Sequence, residues 1–139
     1  MKHKLIQDKY VIRLEKGEKL VKTISEFCAS NKIIFGYFYG VGAISKVELA
    51  HYTLDTKEYS SKIIEEPLEL CSLSGNITLL NGKIALHTHV VVSDKEMKTY
   101  GGHLKEATIA ATCEIFLKRI NSEVDRKYFK EIGLNLFDF

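Results

Sequence analysis

The sequence predicts an α/β fold of the α+β kind, a mainly antiparallel sheet with a helix packed on it. One segment has helical spacing, with Leu20, Val21, Ile24, Phe27 and Cys28 on one face. Most of the remaining apolar residues alternate with polar ones, as in half-buried strands. Turn signals separate these runs, above all Asn81-Gly82. The length of 139 residues suits one domain spanning residues 1–139. A chain of this size buries roughly 68% of its unfolded surface. With 45% hydrophobic and 27% charged residues it has the composition of a globular protein. A single proline, Pro67, and nine glycines leave no room for a flexible linker.

In chain order, residues 10–15 read as a strand with Tyr10, Ile12 and Leu14 on one side and Arg13 on the other. Gly17-Glu18 then opens a helix over 18–30, whose Leu20, Ile24 and Phe27 face packs on the sheet, with Asn31 as its stop. Residues 33–39 are aromatic and β-branched, which predicts a buried strand, broken by Gly40-Val41-Gly42-Ala43. Residues 47–53 and 59–64 form a hairpin around Asp55-Thr56-Lys57. After Pro67, residues 68–73 are a strand ended by Ser74-Gly75-Asn76, and residues 77–80 lead into the Asn81-Gly82 turn. Both turn residues tolerate positive φ.

The return strand, 83–92, points Ile84, Leu86, Thr88, Val90 and Val92 one way, and Ala85, His87, His89 and Val91 the other. Residues 108–117 fit two patterns. Ala107, Ala110 and Ala111 permit a helix, whereas Ile109, Ala111, Cys113, Ile115 and Leu117 alternate as a strand. Strand is the assignment, because an antiparallel sheet needs the partner. The tail, 134–139, carries apolar residues that dock on a surface.

Charge and cysteine usage narrow the function. Twenty basic and eighteen acidic residues leave +2, and the signs alternate, as in Asp125-Arg126-Lys127, which reads as a solvated mixed surface. A protein built on phosphate contacts concentrates basic charge on one face. Cys28, Cys71 and Cys113 are odd in number and far apart, the pattern of buried thiols in a reducing compartment. The first eight residues, Met1-Lys2-His3-Lys4-Leu5-Ile6-Gln7-Asp8, reach a charge before an apolar run develops, which is not the pattern of a signal peptide. No run approaches the ~18 apolar residues of a membrane span. A cytoplasmic location without membrane partners is expected. There is no Gly-x-Ser-x-Gly, phosphate loop or dinucleotide fingerprint.

The residues that carry chemistry are histidines. His87-x-His89 on a strand sets two imidazoles on one face, about 6–7 Å apart at the backbone. Imidazole suits zinc, copper, nickel or iron. Gly101-Gly102-His103 supplies a third, its glycines allowing a sharp bend and close backbone approach. Three histidines on zinc leave a fourth position open for water or a ligand. The plain alternative is three hydrogen-bonded strand histidines. His3 and His51 lack such company and read as ordinary surface or core residues. Glu69 and Glu114 are candidates to orient the histidines from behind, or else lie exposed, and spacing does not choose between the two.

Taken together these motifs resemble the plant-and-prokaryote-conserved (PPC) domain, also called PD1-like, which in plants accompanies AT-hooks. The resemblance rests on Arg13 with Gly17-Glu18, on Gly36, Gly40 and Gly42, and on the run from Glu66-Pro67-Leu68-Glu69-Leu70-Cys71 through Ser72-Leu73-Ser74-Gly75-Asn76. His87-Thr88-His89, Gly101-Gly102-His103-Leu104 and Glu114 complete it, over residues 10–116. It implies a homotrimer of α+β domains that binds metal through His87, His89 and His103. The chain departs from the plant members, since it has no Arg-Gly-Arg-Pro core, and residues 66–71 stand where they carry Gly-Arg-Phe-Glu-Ile-Leu. Three functions follow as expectations: a trimeric zinc-binding module with a regulatory or small-ligand role, a metal-dependent hydrolase or lyase, or a protein with weak, nonspecific DNA association.

Overall fold

The computed structural model describes residues 1–139. Nine strands and one helix follow in the order β1 (Lys2–Ile6), β2 (Lys9–Glu15), α1 (Leu20–Ser30), β3 (Gly36–Thr53), β4 (Glu58–Ile64), β5 (Leu68–Leu80), β6 (Lys83–Ser93), β7 (Thr99–Arg119), β8 (Arg126–Phe129) and β9 (Leu134–Phe137). The main sheet runs β1-β2-β7-β6-β5-β3-β4, all pairings antiparallel, and β8 and β9 form a separate hairpin. Because β7 also pairs with β3, strands β3, β5, β6 and β7 close a circuit. The expected antiparallel α+β fold is present, and residues 108–117 lie within β7.

The alternation read from the sequence explains which side is core. Ile12 and Leu14 of β2, Val90 and Val92 of β6, and Ile109, Cys113, Ile115 and Leu117 of β7 are all buried. Against them α1 sets Leu20, Ile24, Phe27 and Cys28, and the helix packs on β6 and β7. Fully burying each such large aliphatic or aromatic side chain contributes about 1.5–3 kcal/mol. No local side chain caps the start of α1. Instead Glu106 of β7 accepts hydrogen bonds from the Val21 and Lys22 backbone N–H groups, at 2.8 and 3.2 Å. A carboxylate there satisfies orphan donors and faces the positive end of the helix dipole.

Two expected strand breaks are absent. Gly40-Val41-Gly42-Ala43 does not end a strand: β3 continues through it with a shift of register between Gly40 and Gly42. Gly36, Gly40 and Gly42 instead let β3 lie close on β7, where added Cβ atoms would run into the carbonyl oxygens of Lys118, Glu114 and Thr112. Likewise β5 passes unbroken through Ser74-Gly75-Asn76. The expectation of buried thiols holds for Cys28 and Cys113, which burial pushes up to about 12, but Cys71 is exposed. Strand β1 was not expected, and it pairs with β2 at the sheet edge. No helix is long and apolar enough to cross a membrane.

Candidate metal centre

Strand alternation places the first two ligand candidates. On β6, Thr88, Val90 and Val92 turn inward and are buried, so His87, His89 and Val91 must point outward, where all three are exposed. β7 runs antiparallel beside β6 with His103 directly opposite His89. The next strand in the circuit, β3, places Ala50 opposite His103. Gly102 permits this close arrangement, since an added Cβ would stand 2.9 Å from the Ala50 carbonyl oxygen.

The three rings form a nearly equilateral triangle. Centroid separations are 5.1 Å for His87–His89 and 5.5 Å for each of the other two pairs. One nitrogen from each ring lies within 4.8 Å of the other two. An ion held at 2.0–2.1 Å in tetrahedral geometry needs nitrogens about 3.3 Å apart, so side-chain swings of about 1 Å complete the site. The His103 Nδ1 atom is buried and has no hydrogen-bond partner, a deficit that a cation in the triangle would remove. Partial desolvation on its cleft side, then the Arg126 charge and the other two histidines, pushes His87 down to about 4. Burial and the neighbouring His89 and Lys105 also lower His103. Both imidazoles are therefore neutral near pH 7, the form that binds metal.

His87 and His103 border a cleft of about 310 Å³. Its opposite side is the β8–β9 hairpin, through Arg126, Leu134 and Leu136. Tyr59 of β4 closes one end, its ring 5.6 Å from that of His103. Arg126 donates from Nε to Thr78 Oγ1 (2.8 Å), from Nη2 to Asn76 Oδ1 (2.7 Å) and from Nη1 to the Asn135 carbonyl (2.9 Å). Asn76 lies opposite His87 in the sheet, which ties the arginine to the histidine triangle.

The other candidates lie elsewhere. Glu69 is exposed opposite Ser93, four residues along β6 from His89, or about 13 Å. Glu114 is exposed opposite Arg13 and Val41, eleven residues along β7 from His103. The structure brings neither to the triangle. His3 rests against the rings of Tyr10 and Phe27, and His51 is exposed opposite Ser60. Sequence reasoning missed Arg126 and Tyr59. Arg126 sits in a run that reads as solvated surface, yet it is half-buried. Its one signal was the apolar tail, which does dock, as β9.

An outward-facing imidazole triangle on a closed antiparallel sheet with one packed helix defines the class: an α+β protein with a candidate three-histidine metal centre. More particularly, the chain belongs to the Plants and Prokaryotes Conserved (PCC) domain family, whose profile matches residues 1–121. A protein from Bacteroides thetaiotaomicron, named as a candidate DNA-binding protein, is similar at 30% identity and a TM-score of 0.97, over 99% of this chain and 96% of that one. A metal-containing protein from Archaeoglobus fulgidus is similar at 32% identity and a TM-score of 0.90, over 97% and 96% of the two chains. Among curated proteins, the bifunctional protein GlmU of a Synechococcus species is 30% identical over 110 residues. The match takes in 78% of this chain but only 16% of that relative's length.

Proposed function

We propose that this chain is a metal-binding protein that holds one divalent ion, zinc, through His87, His89 and His103, with the fourth position open to a small ligand. The observation that carries this is the convergence of three imidazoles, one with a buried and unpartnered nitrogen. The metal content of the Archaeoglobus relative supports it. When bound, zinc supplies Lewis acidity at its open position. The cleft is lined by no carboxylate that could act as proton acceptor, which favours binding over hydrolase or lyase chemistry. Self-association as a homotrimer belongs to the same proposal. It is supported by an exposed outer face on which Tyr37, Tyr39, Val41 and Phe116 stand together, with Tyr39 and Phe116 stacked at 5.5 Å.

Calorimetric titration of metal-free protein tests the site. One zinc per chain is expected. A four-ligand zinc site contributes about 10–16 kcal/mol, or roughly 3 per ligand, so His89→Ala should weaken binding about a hundredfold. His51→Ala should leave it unchanged. Equal affinity in wild type and His89→Ala overturns the proposal. A second reading, association with DNA, rests on the name given to the Bacteroides relative. On that reading the near-neutral charge of +2 leaves few phosphate contacts, so the association would be weak and salt-sensitive.

A further inference from the structure

Arg126 is the one charged side chain of the cleft, and no acid balances it. Its three hydrogen-bond acceptors, Thr78 Oγ1, Asn76 Oδ1 and the Asn135 carbonyl, are neutral. No carboxylate pairs with it, although its neighbour Lys127 has Asp138. The ring of Phe137 lies 4.7 Å from the guanidinium carbon. The group is therefore fixed in orientation by three bonds and an aromatic face, and burial lowers its pKa from the ordinary arginine value. An arginine has five N–H donors, so two remain for a further acceptor. A desolvated charge is ordinarily retained with a partner of opposite sign.

The surroundings say what that partner is. The cleft holds His87, His103 and Arg126 but no acidic side chain, and a bound divalent ion would make it more positive still. Its other wall is aliphatic, with Leu134 and Leu136. The volume of about 310 Å³ stands at the lower end of ligand pockets, which run from about 300 to 1,000 Å³. Arg126 and the two wall leucines come from the hairpin beyond residue 121, outside the stretch that matches the family.

We infer that the cleft binds a small carboxylic acid, its carboxylate held by the free N–H groups of Arg126 and its short apolar body lying against Leu134 and Leu136 beside the histidine triangle. A planar fork suits a carboxylate bidentately, and the aliphatic wall selects an organic anion over a fully polar one. This rests on the metal reading above, because the triangle forms the other side of the same pocket.

The test uses the zinc-loaded full chain with butyrate as probe, and acetate, butyramide and inorganic phosphate as comparisons. Butyrate should bind more tightly than acetate or phosphate, and the neutral butyramide should not bind. Arg126→Gln and Arg126→Lys should each weaken butyrate about tenfold or more, while zinc affinity is held in Arg126→Lys, which keeps the charge, and is not lowered in Arg126→Gln, which removes it from beside His87. Since Arg126 also anchors the hairpin, the wild type is followed independently by NMR, where butyrate should shift the Arg126 Nη–H resonances, which carry the free donors. Zinc binding without butyrate binding, butyrate binding without that shift, or phosphate binding as tightly as butyrate overturns this inference alone. Absence of zinc binding in the wild type overturns the metal reading and this inference with it.

Discussion

Substituting Gly102 by alanine isolates the contact that brings the third histidine into place. The new Cβ would meet the Ala50 carbonyl oxygen at 2.9 Å, about half an ångström inside ordinary contact. That oxygen is backbone in the paired strand β3, so relief requires β3 and β7 to separate where Ala50 faces His103. Overpacking of this kind costs about 1–3 kcal/mol. The smaller entropy of an unfolded alanine chain returns about 0.4–1 kcal/mol, which leaves a net loss of about 0.5–2 kcal/mol. The His103 ring moves with its backbone while His87 and His89 stay on β6, and a shift of half an ångström is large beside metal–nitrogen bonds of 2.0–2.1 Å. We expect zinc to bind about tenfold more weakly, that is about 1.4 kcal/mol. Gly101→Ala is the graded control, because its Cβ would meet the Val90 carbonyl at 3.1 Å and needs only a few tenths of an ångström. Denaturant melts without metal and calorimetry with zinc measure the two effects. Wild-type stability and zinc affinity in Gly102→Ala, or a larger effect at Gly101, would refute the close-approach account.

Phe27→Ala removes a ring that is 3% exposed and packed edge-on against Tyr10, so a denaturant melt should show a loss of about 3–5 kcal/mol. A loss below about 1 kcal/mol would show that α1 does not close the core as described. Thr88 is buried with an unpartnered hydroxyl, so Thr88→Val should stabilise the metal-free protein by about 1 kcal/mol without changing zinc affinity. For pH, His87 sits at about 4 in the folded chain, below the ordinary value near 6.5 expected once unfolded. The unfolded state therefore takes up the proton first. The Tm of metal-free protein should be level above about pH 6.5 and fall as pH drops toward 4, a slope that His87→Gln should reduce. On DNA, any gel-shift complex should dissolve with moderate salt, and a salt-resistant, sequence-specific one would promote the DNA reading.

Much of the fold and site was legible because strand alternation is a local property. The outward aim of His87 and His89 follows from a period of two, and the inward aim of Val90 and Val92 follows from the same count. What stayed hidden depends on contacts distant in sequence. Glycines that read as strand breaks in β3 proved to be places where β7 presses close, and nothing within residues 36–42 announces a strand some 75 residues later. The helix start gave no capping signal because its cap, Glu106, comes from β7. Arg126 was obscured for a related reason. Three mixed charges in a row ordinarily face water, and only the docking of β8 onto Thr78 and Asn76 withdraws the middle one.

The layout separates what holds the chain together from what it is proposed to bind. Core residues and histidines occupy opposite faces of the same strand, so a change at His87 or His89 removes no buried apolar area. The fold can therefore persist while the load on its outer face varies. The triangle sits on β6 and β7, within the matched stretch, and these strands are tied into the closed circuit. Arg126, Leu134 and Leu136 sit on a hairpin outside both the circuit and that stretch. A change in the hairpin can alter which ligand fits without disturbing the imidazoles. A change at the β3–β7 contact beside His103, such as Gly102→Ala, must disturb both the site and the sheet. The two classes of variant thus separate in measurement: hairpin substitutions should move ligand affinity without weakening zinc binding, and substitutions at the β3–β7 contact beside His103 should move zinc affinity and stability together.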